Sequence, residues 1–111
     1  MFFKKKAEED FDVNETIEKA SERIVFAQFT SDDDNYALEL INQIKDGAPI
    51  IINFEKVDEY TTNKYMAFFT GATMMVDGKV MRINENTILF TKKENFMDGS
   101  LREFIENIPH Q

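Results

Sequence analysis

The fold is decided by residues 70–83, which read Thr-Gly-Ala-Thr-Met-Met-Val-Asp-Gly-Lys-Val-Met-Arg-Ile. This stretch places Gly71 inside an apolar run that we interpret as the end of a helix, and Asp77-Gly78 ends that helix. A glycine inside a helix costs about 1 kcal/mol relative to alanine. A helix that keeps one beside large apolar residues often needs another backbone close by. The stretch therefore indicates a packing or assembly surface.

Two alternatives stay open at this point. Asp77-Gly78 also fits a type I′ turn between strands 72–76 and 79–83, although we favour the helix. Gly71, which has no β-carbon, would allow the helix to approach either its own sheet or a second copy of the chain.

The residues upstream predict a strand, a helix and a second strand. Residues 23–29 are β-branched and aromatic, which is typical of a strand. Ser31 is expected to cap a helix whose apolar residues share one face and which Gly47 ends. Residues 50–54 are nearly all apolar, as in a strand of a parallel pair that is covered on both faces. Together these segments predict a right-handed βαβ unit.

A second helix is predicted from about residue 58 to residue 76. Its apolar surface is wider than one small sheet needs, and the surplus predicts a helix face that packs on another copy. Residues 80–83 and 87–91 then pair as a hairpin. Residues 100–108 predict a short C-terminal helix that opens with a capping box at Ser100.

The predicted fold class is therefore α/β. We expect a compact two-layer sandwich, with two main helices packed on a small mixed sheet in the order βαβαββ, plus the short C-terminal helix. The expected organisation is a possible membrane-associating segment at 1–6, an acidic flexible linker at 7–22 and a folded domain at 23–111.

Composition excludes several classes of function. The net charge of −8 disfavours general binding to nucleic acid, and the absence of cysteine excludes disulfides and thiolate metal sites. The apolar runs are too short for a transmembrane helix or a secretory signal, so we expect the chain to stay in the cytoplasm.

The residues point away from catalysis. Asp32, Asp33 and Asp34 contain carboxylates of the kind that bind Mg²⁺, but helix capping explains three adjacent acids at a helix start better. The single histidine, His110, is penultimate and has no second histidine to work with. We therefore expect no enzyme activity, catalytic residue, metal or cofactor.

The N-terminal segment has two interpretations: a chain terminus that is simply exposed to solvent, or a weak anchor on an anionic membrane surface. An anchor of this size holds a protein firmly only when many copies assemble. The residues concerned are Met1, Phe2, Phe3, Lys4, Lys5 and Lys6.

The central part of the chain, about residues 23–96, resembles the SepF family, bacterial cell-division proteins that tie FtsZ to the membrane. The motifs that carry the resemblance are residues 44–54 (Ile-Lys-Asp-Gly-Ala-Pro-Ile-Ile-Ile-Asn-Phe), 70–72 (Thr-Gly-Ala), 77–78 (Asp-Gly), 80–83 (Val-Met-Arg-Ile) and 88–91 (Ile-Leu-Phe-Thr). The chain differs in having Ile88 where the family has an aromatic residue, and its N-terminal segment is short.

The resemblance implies a role in septum assembly at the division site, with two kinds of contact. It implies a domain that dimerises and polymerises, with helix contacts around Gly71 joining the dimers. We assign this self-association to Phe68, Gly71, Ala72 and Met75 and expect the dimer to bury part of the second helix or of the sheet. It also implies a pocket for the C-terminal tail of FtsZ, which we assign to Arg82, Ile88 and Phe90.

The sequence gives less support to two rival functions. A small βαβ regulatory or ligand-binding domain has the same architecture but needs a polar pocket, which no cluster in the sequence indicates. A hydrolase needs a nucleophile and a base, and the sequence offers no such pair.

Overall fold

The computed structural model describes residues 19–108. Its elements are a 3₁₀ turn (Ala20–Arg23), β1 (Val25–Gln28), α1 (Asp34–Lys45), β2 (Ile50–Asn53), α2 (Glu59–Met75), β3 (Gly78–Asn84), β4 (Thr87–Lys92), a second 3₁₀ turn (Lys93–Phe96) and α3 (Ser100–Glu106). This order confirms the predicted α/β fold and the βαβαββ succession with a C-terminal helix. The segment 1–6 and residues 7–18 of the predicted linker lie outside the described residues.

The four strands form one mixed sheet in the order β1-β2-β4-β3. β1 and β2 run parallel with α1 between them, which confirms the βαβ unit. β3 and β4 form the predicted antiparallel hairpin, and β4 also pairs antiparallel with β2. As a result β2 and β4 are the central strands, and β1 and β3 are the edges.

The end of α2 decides between the two interpretations of Asp77-Gly78. α2 is helical to Met75, and Asp77 then takes a φ of 58°, in the left-handed region. β3 begins at the very next residue, Gly78. The hairpin alternative for residues 72–83 is therefore wrong, and the helix is confirmed.

Two helix starts differ from expectation. α1 is capped by Asp33, whose side chain accepts a hydrogen bond from the Tyr36 amide at 3.0 Å, and not by Ser31. Several adjacent residues here can cap a helix, and tertiary contacts of the neighbouring aspartates select among them. At α3, Ser100 is the first helical residue and Gly99, with a φ of 80°, precedes it, so the predicted capping box is absent.

One face of the sheet carries the main core, under α1 and α2. Ile50 and Ile52 of β2 and Ile88 and Phe90 of β4 point into it. Phe29 lies at its centre and stacks on the Tyr65 ring at a centroid distance of 4.4 Å.

The opposite face of the sheet is apolar as well. Ile51 and Leu89 are buried there together with Leu101 of α3 and Ala20 of the first 3₁₀ turn. β2 is therefore covered on both faces, as predicted for residues 50–54. Ala20, which the sequence assigned to the linker, is part of this second core, so the folded region begins a few residues earlier than expected.

Candidate interaction surfaces

α2 carries one buried stripe and one exposed stripe. The buried stripe consists of Thr61, Tyr65, Phe69 and Thr73. The exposed stripe, called the α2 face below, consists of Phe68, Gly71, Ala72 and Met75, which follow the i, i+3, i+4, i+7 spacing of one helix face.

The α2 face is apolar and open. Phe68 is 41% exposed and Met75 is 86% exposed, and none of the four residues carries a charge. A β-carbon added at Gly71 would meet nothing within 4 Å. The interpretation in which Gly71 lets α2 approach its own sheet is therefore wrong. Within the described residues, the space above Gly71 is free for another surface.

A hollow of about 410 Å³ adjoins the α2 face on the side of α1. Leu38 of α1, which is largely exposed, forms one wall, and Phe68 forms the other. Lys64 and Asp34 stand at its polar edge. The exposed apolar surface therefore continues from α2 onto α1.

A charged network ties the start of α1 to α2. The Lys64 ammonium lies 2.7 Å from Asp32 and 2.9 Å from Asp34, and the buried Tyr65 hydroxyl lies 2.8 Å from both carboxylates. The hydrogen bonds from Lys64 hold the pKa of Asp32 and Asp34 below its usual range. Burial of the Tyr65 side chain raises the pKa of its hydroxyl, and the hydrogen bonds to the two carboxylates raise it further. In residues 19–108, no three His, Cys, Asp or Glu side chains are placed to hold a metal ion.

The residues assigned to the FtsZ tail do not form one exposed surface. Arg82 is exposed, and its Nη1 donates to the Glu85 carbonyl at 2.7 Å. Ile88 and Phe90, however, are 2% and 0% exposed and lie in the main core. Their assignment as peptide contacts is wrong for this conformation, because β4 is a central strand whose even-numbered side chains point under α1 and α2.

A second groove, which the sequence analysis missed, lies on the other face of the sheet. It has a volume of about 380 Å³ and crosses from β1 to β3 beside the end of α3. Its apolar lining includes Phe26, Ile51, Ile83 and Phe104. The groove depends on the strand order and on where α3 docks, so local sequence patterns carry no signal for it.

The possible membrane residues 1–6 lie outside the described part of the chain. Among the helices of residues 19–108, none has the length and apolar character needed to cross a bilayer.

Comparison with known proteins gives one consistent family. The profile of "Cell division protein SepF" matches residues 16–94. The protein of that name from Carboxydothermus hydrogenoformans is 28% identical over 65 residues, which are 59% of this chain and 47% of the relative. The one from Limosilactobacillus reuteri is 28% identical over 69 residues, 62% of this chain and 50% of the relative.

A third relative of the same name, from Lactobacillus delbrueckii subsp. bulgaricus, is 30% identical over 76 residues, which are 68% of this chain and 49% of that protein. The aligned part of the chain thus spans about half the length of the curated relatives it matches.

Proposed function

Because this chain belongs to the SepF family of cell division proteins, we propose that it is a self-associating adaptor that binds the C-terminal tail of FtsZ. In this role it helps to hold FtsZ filaments at the membrane of the division site, without catalysis and without a cofactor. Family membership favours a division role over the alternative of a regulatory domain without one. The observation that carries the proposal is the open apolar α2 face.

The α2 face has the properties of a helix–helix contact surface. Apolar side chains at this spacing form a stripe that a second helix can cover, and Gly71 lets the two backbones come close. Full burial of a side chain such as Phe68 or Met75 contributes about 1.5–3 kcal/mol. The stripe also lacks the carboxylates that would make two acidic copies repel each other at this point.

Arg82 is the residue of the predicted peptide site that remains open to a partner. It pairs with Ile88 across β3 and β4, so the buried Ile88 supports the strand position from which Arg82 projects. An arginine next to a tail carboxylate forms a charge-assisted and often bidentate hydrogen bond. We propose that Arg82 makes this contact, while Ile88 and Phe90 act only by holding the strand.

Arg82→Glu is expected to weaken binding of a synthetic FtsZ tail peptide about tenfold or more, because a charge-assisted hydrogen bond contributes roughly 1.5–3 kcal/mol. Isothermal titration calorimetry on the full chain measures the effect. Arg102→Glu is the matched control, since it makes the same charge change at an exposed position on α3. An equal loss in both variants would assign the effect to net charge and remove Arg82 from the site.

Deleting residues 1–6 is expected to reduce pelleting of the full chain with vesicles rich in anionic lipid. Two phenylalanines contribute at most about 3–6 kcal/mol, and each lysine near such a surface contributes about 1 kcal/mol. Single copies would therefore bind weakly, and assemblies would bind firmly. Replacing Lys4, Lys5 and Lys6 by glutamine separates the contribution of their charges from that of Phe2 and Phe3. Unchanged pelleting of the deletion variant would remove the anchor from the proposal.

A further inference from the structure

We propose that Met74 and Met75, at the end of α2, are a reversible oxidation site, and that hydrogen peroxide weakens self-association by converting them to methionine sulfoxides. The inference rests on the proposed self-association through the α2 face and adds a form of regulation to it. The unmodified thioethers favour assembly, and the sulfoxides favour separate copies.

Methionine supplies all of the sulfur in this chain. The sequence has six methionines and no cysteine, so peroxide meets no competing thiol. In the described part of the chain, Met66 and Met81 are partly buried against the two cores. Met74, Met75 and Met97 are 60%, 86% and 85% exposed. Of the methionines that the structure describes, these three are therefore the ones that an oxidant in solution reaches first.

Two of the three exposed methionines lie at the α2 face. Met75 is part of that face, and Met74 lies at its border, three residues after Gly71. Met97 instead lies between Phe96 and Leu101, which both pack in the second core on the opposite face of the sheet. Oxidation of Met74 and Met75 therefore changes the proposed association surface, and oxidation of Met97 does not.

The reaction transfers one oxygen atom from peroxide to a thioether. The sulfur lone pair attacks one peroxide oxygen, and the O–O bond breaks as the S–O bond forms. The departing hydroxide takes the proton of the transferred oxygen and leaves as water. Sulfur is oxidised by two electrons, and peroxide is reduced by two. Methionine sulfoxide reductases A and B each return one sulfoxide epimer to the thioether, so the change is reversible.

A sulfoxide on the α2 face would oppose contact between two copies. Oxidation turns a flexible apolar side chain into a polar one whose oxygen accepts hydrogen bonds. The other residues of the α2 face, Phe68, Gly71 and Ala72, have no side-chain donor to offer that oxygen. Burial of a polar group without a partner is unfavourable, so each sulfoxide favours the separate, hydrated copy.

Assembly in turn protects the site from oxidation. Peroxide reaches Met75 in a separate copy, where the side chain is 86% exposed, but not in a copy whose α2 face is covered. The covered fraction rises with protein concentration by mass action. We therefore expect the oxidation of Met75 to become slower at high protein concentration, whereas the oxidation of Met97 keeps its rate.

The test measures the dissociation constant of the full-chain dimer by sedimentation equilibrium, before and after a limited peroxide treatment. Peptide mass spectrometry selects the dose that oxidises the exposed methionines and leaves Met66 and Met81 intact. The dissociation constant of the wild-type chain is expected to rise about tenfold or more, as for the loss of one buried apolar side chain. Treatment with methionine sulfoxide reductases A and B is expected to restore it.

Leucine variants assign the effect to particular sulfur atoms. The double variant Met74→Leu, Met75→Leu removes both thioethers at nearly constant volume, and its dissociation constant is expected to stay the same through the treatment. Met97→Leu is the matched control, because it removes an equally exposed sulfur outside the α2 face. This control is expected to respond to peroxide as the wild-type chain does.

Three results would overturn the inference. The first is a wild-type dimer that is unchanged when Met74 and Met75 are fully oxidised. The second is a double leucine variant that loses association under peroxide as the wild-type chain does. The third is loss of the cooperative thermal transition in the treated wild-type chain, since unfolding would then explain the lost association. A chain that is monomeric before any treatment would instead contradict the proposed self-association itself, so the two failures are distinguishable.

Discussion

Gly78→Ala is expected to lower the free energy of unfolding by about 2–3 kcal/mol, the cost of forcing an extra carbon into a packed site. A β-carbon at this position would lie 2.6 Å from the carbonyl oxygens of Thr73 and Thr91 and would press against the Thr73 methyl group. Two of these three neighbours are backbone atoms, which cannot move aside as a flexible side chain can. Gly78 is thus the glycine that lets α2 turn directly into β3.

Gly71→Ala is the matched control, because a β-carbon there meets nothing within 4 Å. In a helix, alanine is expected to raise the free energy of unfolding by up to about 1 kcal/mol. Both changes are best compared by urea denaturation in a Met75→Lys background, where association through the α2 face no longer contributes. Equal stabilities for the two alanine variants would contradict this description of the α2–β3 junction.

Met75→Lys is expected to weaken dimerisation at least tenfold. The methionine is 86% exposed in the single chain, and its burial in a dimer would contribute about 1.5–3 kcal/mol, while a lysine would have to be desolvated in the same place. Gly71→Lys is expected to have a similar effect, because the long side chain blocks the close approach of two helices. Light scattering and sedimentation equilibrium measure both variants.

Met97→Lys is the matched control for Met75→Lys. Met97 is 85% exposed but lies between β4 and α3, away from the α2 face. The two substitutions therefore make the same change in charge and in exposed apolar area. If Met97→Lys weakened dimerisation as strongly as Met75→Lys, the α2 face would lose its assigned role.

Much of the fold follows from periodicity in the sequence. The apolar run of residues 50–54 predicted a strand covered on both faces, and the structure has β2 between two cores. The helical spacing around Phe68, Gly71 and Met75 predicted more apolar surface than one sheet covers, and these residues do lie on the exposed stripe of α2. The spacing of apolar residues is a local property of the sequence. It can therefore be recognised without knowledge of the tertiary structure.

The peptide site could not be predicted in the same way. Alternation along a strand tells which residues share a face, but not whether that face is covered. Ile88 and Phe90 share a face, as expected, and α1 and α2 cover it. The network of Asp32, Lys64 and Tyr65 joins residues more than 30 positions apart, so only the packing of α1 on α2 brings them together.

Sedimentation equilibrium of the full wild-type chain tests the central claim, self-association, most directly. The expected mass at micromolar concentration and above is at least twice the 13.0 kDa of one chain. A mass of 13.0 kDa at every concentration up to the solubility limit would contradict the account, because a monomer cannot join FtsZ filaments through many weak contacts at once.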